Sequence, residues 1–363
     1  MGKSSLLLSF KKEALRGAEK KEASFLKKRS KKLLSVWGAQ PAFWRFGGSG
    51  GWVLWPASVV VAGVTRRRVA RAGWRAPVPV ICCGNAGVGG AGKTTLVLDL
   101  AQRLRARGVS VHLLTRGHGG SLRGPVRVDP ALHGAADVGD EALLLAACAP
   151  TWCGRDRAAT ARLAVAAGAG ALIMDDGLQN PTLEKTASLL VIDGQAGFGN
   201  GRVLPGGPLR EPVREAAARA AAAVLIGDDM TSARGKLPAR LPVLRAHLVP
   251  GPQAAMLADT RVVAFAGIGR PEKFFAMLAQ AGIELAARLP FPDHHVYSSA
   301  ELAQLHRLAV QLHARPVTTP KDAARIGPEL CQGITAVGVS LGWADEAALE
   351  RLLDEALAMG AAL

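Results

Sequence analysis

The sequence predicts an α/β protein in which a parallel sheet carries helices on both faces. Three observations point there. Short apolar runs recur at 78–83, 109–115, 171–174, 189–192 and 222–226, and each ends in glycine or polar residues. Alanine-rich stretches of helical character separate them, which is the alternation of βαβ units. One strand–helix junction, after residue 83, carries a glycine-rich loop of defined spacing. The composition allows such a core: 49% of the 363 residues are hydrophobic and 20% charged, which excludes global disorder. The 42 glycines and 21 prolines follow no period, which excludes a fibrous protein. No uncharged apolar run reaches the ~18 residues of a membrane-spanning helix. The five cysteines (Cys82, Cys83, Cys148, Cys153, Cys331) contain no C-x-x-C and read as reduced thiols of a cytoplasmic protein.

The first element is basic. The net charge is +16, yet residues 1–75 hold 17 Lys/Arg against 3 Asp/Glu, a net of +14 that leaves +2 for 76–363. This asymmetry predicts an anionic surface as partner. Residues 1–40 form a basic arm whose plain reading is a solvated tail. Over 41–75 come Trp37's successors Phe43, Trp44, Phe46, Trp52 and Trp55, an apolar run at 53–64, and then Arg66, Arg67, Arg68, Arg71 and Arg75. Clustered aromatics, an apolar run and closing arginines suit a helix lying in a membrane interface. At roughly 18 Å as a helix, the run is too short to cross a bilayer core of ~30 Å. A buried helix is the other reading.

The run at 78–83 leads into Gly87-Val-Gly-Gly-Ala-Gly-Lys-Thr94, which fits G-x-x-x-x-G-K-[ST], and an apolar-periodic helix follows (Leu96, Val97, Leu100, Leu104). Strand, loop and helix stand in the order of a nucleoside-triphosphate P-loop. Backbone N–H groups of Gly87, Gly89, Gly90, Ala91, Gly92, Lys93, Thr94 and Thr95 are expected to wrap ATP phosphates, with the helix N-terminus adding its positive end. Lys93 would hold the β- and γ-phosphates, and the Thr94 hydroxyl would face Mg2+.

Later strand ends supply further polar residues. The run at 109–115 ends in Arg116-Gly-His-Gly-Gly120, and that at 171–174 ends in Asp175-Asp176-Gly-Leu-Gln179-Asn180. Asp175 and Asp176 fall where a metal-binding acid belongs in such a sheet, with either of them open as the nearer one. Turn or cap duty is the alternative for an acidic pair. Gly139-Asp140-Glu141 reads by itself as a helix start with acids in its first turn. Asp293-His294-His295 reads by itself as a turn.

Together these segments resemble the tetraacyldisaccharide 4′-kinase family, the lipid A kinases of Gram-negative bacteria. The resemblance rests on Gly84-Asn85 through Thr94, Arg116–Gly120, Gly139-Asp140-Glu141, Asp175–Gln179, Asp193–Arg202 (containing Gly-Phe-Gly-Asn-Gly-Arg), Leu204–Pro212 (containing Pro-Leu-Arg-Glu-Pro), Phe291–His294 and Thr318–Asp322, in family order. The resemblance implies a P-loop domain at 76–250 and a smaller C-terminal α/β domain at 251–363 that closes over the active site, joined by a two-stranded linker. It implies transfer of the γ-phosphate of ATP to the 4′-hydroxyl of a tetraacyl glucosamine disaccharide 1-phosphate at the cytoplasmic face of the inner membrane. It makes Asp140 the base and His294 its partner. Glu141 and Gln179 join Thr94 near Mg2+, and Arg116, Asn200, Arg202 and Arg210 are candidates for the substrate. A monomer with no nucleic-acid partner is expected. The sequence departs from the family pattern at Thr95 (usually Pro), Asn180 (His), His118 (Tyr) and Pro320 (Glu). Two rivals come from other classes: a membrane-docked P-loop switch GTPase, disfavoured because Thr319-Pro-Lys-Asp322 breaks the guanine pattern, and a nucleic-acid binder using the basic arm, disfavoured by the near-neutral body.

Overall fold

The computed structural model describes residue 41, residues 43–44 and residues 49–361. The basic arm expected over 1–40 lies outside the described residues.

Nine strands form the main sheet: β1 (Val80–Gly84), β2 (Val111–Thr115), β3 (Val126–Arg127), β4 (Thr151–Cys153), β5 (Ala171–Asp175), β6 (Ala187–Asp193), β7 (Ala222–Ile226), β8 (Val243–Pro250) and, after a second unit, β13 (Val339–Trp343). Their order is β13-β8-β7-β6-β1-β5-β2-β4-β3. Neighbours are parallel except at the two edges, where β3 runs against β4 and β13 against β8. The five apolar runs expected as strands are β1, β2, β5, β6 and β7. From β1 the chain winds outward through β2 and β4, then returns to fill the other side with β6 and β7. The carboxyl end of β1 is therefore where the winding reverses, and the crevice that opens there receives the glycine-rich loop.

Both faces of this sheet are covered, and side-chain alternation along β1 shows how. Ile81 and Cys83 point into a cluster with Leu96, Leu100 and Leu104 of the helix Lys93–Ala106 and with Leu349 and Leu353 of the last helix. Val80 and Cys82 point the other way, toward Ala161 and Ala164 of the helix Arg157–Ala166. All five cysteines are free thiols.

The second unit is a parallel sheet of order β10-β9-β11-β12, made of β9 (Val262–Ala266), β10 (Leu285–Pro290), β11 (Arg315–Thr318) and β12 (Thr335–Ala336). The expected C-terminal unit of 251–363 needs correction at its far end. After β12 the chain returns to the main sheet as β13, and the helix Glu346–Ala361 packs beside the helix Lys93–Ala106. Arg103 fixes that return: its Nη1 donates to Glu346 at 2.6 Å and to Glu350 at 2.7 Å, while Asp99 accepts from Arg103 Nε and from the Trp343 indole. The amphipathic pattern of the last helix announces a helix but not which sheet it covers. The antiparallel pair β8–β13 is thus the two-stranded connection out to the small unit and back.

The helix Trp55–Val69 accommodates Pro56 in its first turn, where the missing N–H costs no intrahelical bond. It is anchored on its inner face. The Ser58 hydroxyl accepts from the Gly206 N–H at 3.0 Å, Arg66 Nε donates to Glu215 at 2.9 Å, and Val61 and Ala62 pack on the cluster around Leu190 and Leu225. The outer face carries Trp55, Val59, Val60 and Val64, and the short helix Ser49–Val53 before it exposes Trp52 (68%) and Val53 (78%). No helix among the described residues is long and apolar enough to cross a membrane.

Candidate active site

The glycine-rich loop is shaped by its sequence and by one neighbour. Gly92 caps the following helix at φ 85°, a left-handed conformation, and a Cβ there would stand 2.7 Å from the Ile226 side chain, so glycine meets two demands at once. The loop rests on the segment Pro208–Arg210: Val88 N–H donates to Pro208 O at 2.8 Å, and Arg210 N–H donates to Ala86 O at 2.7 Å. Lys93 lies back along the loop, donating to Asn85 Oδ1 at 3.2 Å, with Asp176 at 3.7 Å. Its ammonium is held at the mouth of the loop between polar partners.

The two acids at the end of β5 have different roles. Asp176, at φ 51°, has both oxygens on Arg210 Nη1 at 2.8 and 2.9 Å, and Lys93 and Arg210 hold its carboxyl below the usual range against the opposing effect of burial. Asp175 is buried, and its Oδ1 has no hydrogen-bond partner. Burial, then the charges of Glu141 and Asp176, pushes its carboxyl up to about 7. A buried carboxylate oxygen without a donor is costly unless a cation comes to it. Glu141 stands close by, accepting from the Thr94 hydroxyl at 3.5 Å. Gln179 is fully engaged in protein contacts: its Nε2 donates to Asn85 O and to buried Glu211, and its Oε1 faces Arg210 at 3.4 Å.

Asp140 opens the helix Asp140–Ala146, whose first turn holds both acids, and is almost fully buried. Gly139 precedes it at φ 86°, where a Cβ would come within 2.4 Å of the His118 carbonyl. The loop Arg116–Gly120 nests on that glycine. Replacing Gly139 with alanine is expected to cost about 1–3 kcal/mol of stability through backbone strain and to displace Asp140, measured as a lower denaturation midpoint.

The second unit supplies the rest. His294 Nδ1 lies 3.3 Å from Asp140 Oδ2, on a residue at φ 59°. Arg325 donates to the same Oδ2 from Nε at 2.9 Å, and its Nη2 is 2.8 Å away. Lys321 Nζ donates to Glu141 Oε1 at 2.6 Å. Burial works to raise the Asp140 carboxyl, but bonds from His294 and Arg325 outweigh it and hold it far below the ordinary carboxylate range. The His294 imidazole is raised in turn, first by its bond to Asp140. The structure brings together Asp140, Glu141 and His294, all expected at the site, and adds Lys321 and Arg325, which the sequence does not single out. They stand four apart on the helix Pro320–Ile326, a spacing that puts two cations on one face, yet nothing in the sequence says which acids face them.

Of the four residues set aside for substrate, the structure gathers two near the loop. Arg210 is bound to Asp176, and Arg116 has Arg155, Arg68 and Arg210 among its charged neighbours; partial burial and then those like charges lower its guanidinium pKa. This cationic mouth favours an anion. Asn200 and Arg202 instead brace the N-terminal segment. Asn200 Nδ2 donates to the carbonyls of Phe43 and Gly206 at 2.9 Å, and Arg202 Nη1 donates to Gly51 O at 2.7 Å with its guanidinium 3.9 Å from the centre of the Trp52 ring. Their donors serve the protein's own backbone, so the structure gives them an anchoring place. No cluster of three His, Cys, Asp or Glu arranged as a metal cage occurs among the described residues.

The chain is similar to known proteins along most of its length. A family model described as tetraacyldisaccharide-1-P 4′-kinase matches residues 51–358. The tetraacyldisaccharide 4′-kinase of Gluconacetobacter diazotrophicus is 58% identical over 317 residues, covering 86% of this chain and 97% of that protein. That of Rhodospirillum centenum is 57% identical over 303 residues, covering 83% and 90%. The crystal structure of LpxK from Aquifex aeolicus in complex with ATP superposes with a TM-score of 0.70 at 25% identity, covering 85% of this chain and 99% of that one. With the phosphate loop, the acids at the strand ends and a family match spanning both units, the chain belongs to the tetraacyldisaccharide-1-P 4′-kinase family and is an ATP-dependent kinase.

Proposed function

We propose that the chain transfers the γ-phosphate of ATP to the 4′-hydroxyl of a tetraacyl glucosamine disaccharide 1-phosphate, working as a monomer docked on the cytoplasmic face of the inner membrane. The observation that carries this reading is the meeting of buried Asp140 with His294, from the other unit, on the side of the sheet where Lys93 waits. Asp140 Oδ2 takes the proton of the sugar hydroxyl as its oxygen bonds to phosphorus. His294, donating to that carboxylate, orients it. In a loose transition state the hydroxyl becomes acidic only once the new bond is well formed, so even a weakly basic carboxylate serves, provided it is aimed. Lys93 and the loop N–H groups stabilise charge on the transferred group and on the departing ADP. Two units meeting over the site keep water from competing for the phosphoryl group.

The donor set suits Mg2+. That ion favours one or two carboxylates, a hydroxyl and the phosphates over an all-protein cage. Thr94, Glu141 and Asp175 fit, and the orphaned Asp175 oxygen is the strongest sign. Asp176 is occupied by Arg210 and Gln179 by Glu211 and Asn85, so of the two acids Asp175 is the one that would hold the ion, with Gln179 acting through its neighbours. Bound there, Mg2+ would neutralise phosphate charge. A transfer assay with labelled ATP, Mg2+ and the lipid A disaccharide precursor in detergent micelles tests the whole proposal; an unphosphorylated glycolipid under conditions where the Aquifex aeolicus enzyme succeeds would refute it.

The exposed apolar residues between 52 and 64, followed by Arg67, Arg68, Arg71 and Arg75, support docking on anionic lipid, with about 1 kcal/mol per cation and further gain from burying tryptophan. Replacing Val53, Trp55 and Val60 with serine is expected to reduce sedimentation with anionic vesicles at least ~10-fold while leaving the melting transition in place. Undiminished sedimentation would remove the docking surface.

A further inference from the structure

We propose that Arg325 is a positioning residue that sets His294 and Asp140 in register across the two units. The inference rests on the reading of Asp140 as the base. Arg325 is 5% exposed and Asp140 4%, so their pairing is shielded from solvent. One end of the guanidinium, Nε and Nη2, grips Asp140 Oδ2. The other end, Nη1, donates to the Gly267 carbonyl at 2.7 Å and to Asp322 Oδ1 at 2.8 Å. The Gly267 carbonyl is also the acceptor of the His294 backbone N–H, at 3.0 Å. A single rigid group therefore touches the base on one side and the backbone anchor of its partner on the other.

The orientation of that group is fixed from behind. Asp322 is fully buried, and its Oδ1 also accepts from the Tyr297 hydroxyl at 2.9 Å and the Gly267 N–H at 3.0 Å, while its Oδ2 accepts from Thr319. The planar fork of arginine can bridge carboxylate and carbonyl together, whereas a lysine ammonium in its place reaches them as a point charge. On the Asp140 side, Oδ1 is taken by the Glu141 N–H at 2.9 Å, so only Oδ2 is left to face His294, and Arg325 decides where that oxygen sits. A role as plain inter-unit glue predicts something different: loss of folded protein, without a specific link to His294.

Steady-state kinetics of Arg325→Ala, Arg325→Lys, His294→Ala and the Arg325→Ala/His294→Ala double variant separate the two, with near-UV circular dichroism checking the fold. Positioning predicts that Arg325→Ala lowers kcat on the order of 10²-fold, as about an ångström of misplacement does, with the KM for ATP within about twofold. Arg325→Lys recovers part of the loss, and adding Arg325→Ala to His294→Ala lowers kcat by less than about threefold more. Folded Arg325→Ala with near-normal kcat, or defects that multiply in the double variant, would overturn the proposal. If Arg325→Ala does not fold, Arg325→Lys combined with His294→Ala carries the same comparison. Full activity in Asp140→Ala would instead defeat the underlying base assignment, a separate result.

Discussion

Asp140→Asn is expected to lower kcat on the order of 10²–10⁴-fold, the usual worth of a positioned proton acceptor, while the affinity for ATP stays near that of the unaltered enzyme. Asparagine keeps the shape and can still accept from Arg325 and His294, so the side chain stays in place while its negative charge and its ability to take a proton are lost. Lys93 and the phosphate loop, proposed above to hold the nucleotide, lie on a different element and are untouched. Single-turnover transfer with pre-bound ATP measures the step directly, and a variant with normal single-turnover rate would strip Asp140 of its role.

The same substitution has a pH signature in stability. The Asp140 carboxyl is held below its unfolded value of about 4, so its contribution is present above that pH and is lost as pH falls through the folded value. His294 is raised above its ordinary value, so its contribution is full below about 6.5 and is lost as pH rises through the higher folded value. The ion pair between the units is therefore strongest between those limits. The difference in unfolding free energy between the protein and Asp140→Asn should be largest near pH 5–6, and it should shrink below about pH 4. A difference that does not vary with pH would contradict the pairing.

What the sequence disclosed about this site follows from where the physics is local. Lys93, Thr94 and their glycines are legible because a phosphate loop is made by eight consecutive residues between a strand and a helix. Asp175 and Asp176 were legible as a pair because they end a strand of the same sheet. Their division of labour was not, since Arg210, which occupies Asp176, is 34 residues further along. Asp140 looked like an ordinary helix start because its chemistry comes from Arg325 and His294, both in a unit inserted between β8 and β13. Residues 339–361 were assigned to that inserted unit for a related reason. An apolar strand and an amphipathic helix fit either sheet, and the choice is made by Arg103 meeting Glu346 and Glu350 across more than 240 residues. Asn200 and Arg202 resembled substrate ligands as polar residues in a specific motif, but their partners are backbone carbonyls of the N-terminal segment.

Lys93→Ala is expected to be the other large loss, and of a different kind. The ammonium is the one charged side chain of the phosphate loop itself, and it is held by Asn85 at 3.2 Å and Asp176 at 3.7 Å. Those partners are weak enough to exchange for phosphate oxygens, yet they keep the side chain folded back along the loop, ready for the β- and γ-phosphates. Removing it takes away charge stabilisation that grows as the terminal group departs, so kcat/KM for ATP should fall on the order of 10²–10³-fold, and nucleotide binding should weaken as well. Asp176 remains paired with Arg210, so the fold should survive and the melting transition should stay close to that of the unaltered protein. Lys93→Arg is not expected to rescue, because a planar fork does not sit where a compact ammonium sits between Asn85 and the Gly89 carbonyl. Fluorescent-nucleotide titration beside the transfer assay distinguishes this defect from that of Asp140→Asn: the first should lose both binding and turnover, the second turnover alone. Tight nucleotide binding and normal transfer in Lys93→Ala would mean that the charge is supplied from elsewhere, with Arg210, already beside Asp176, the nearest alternative.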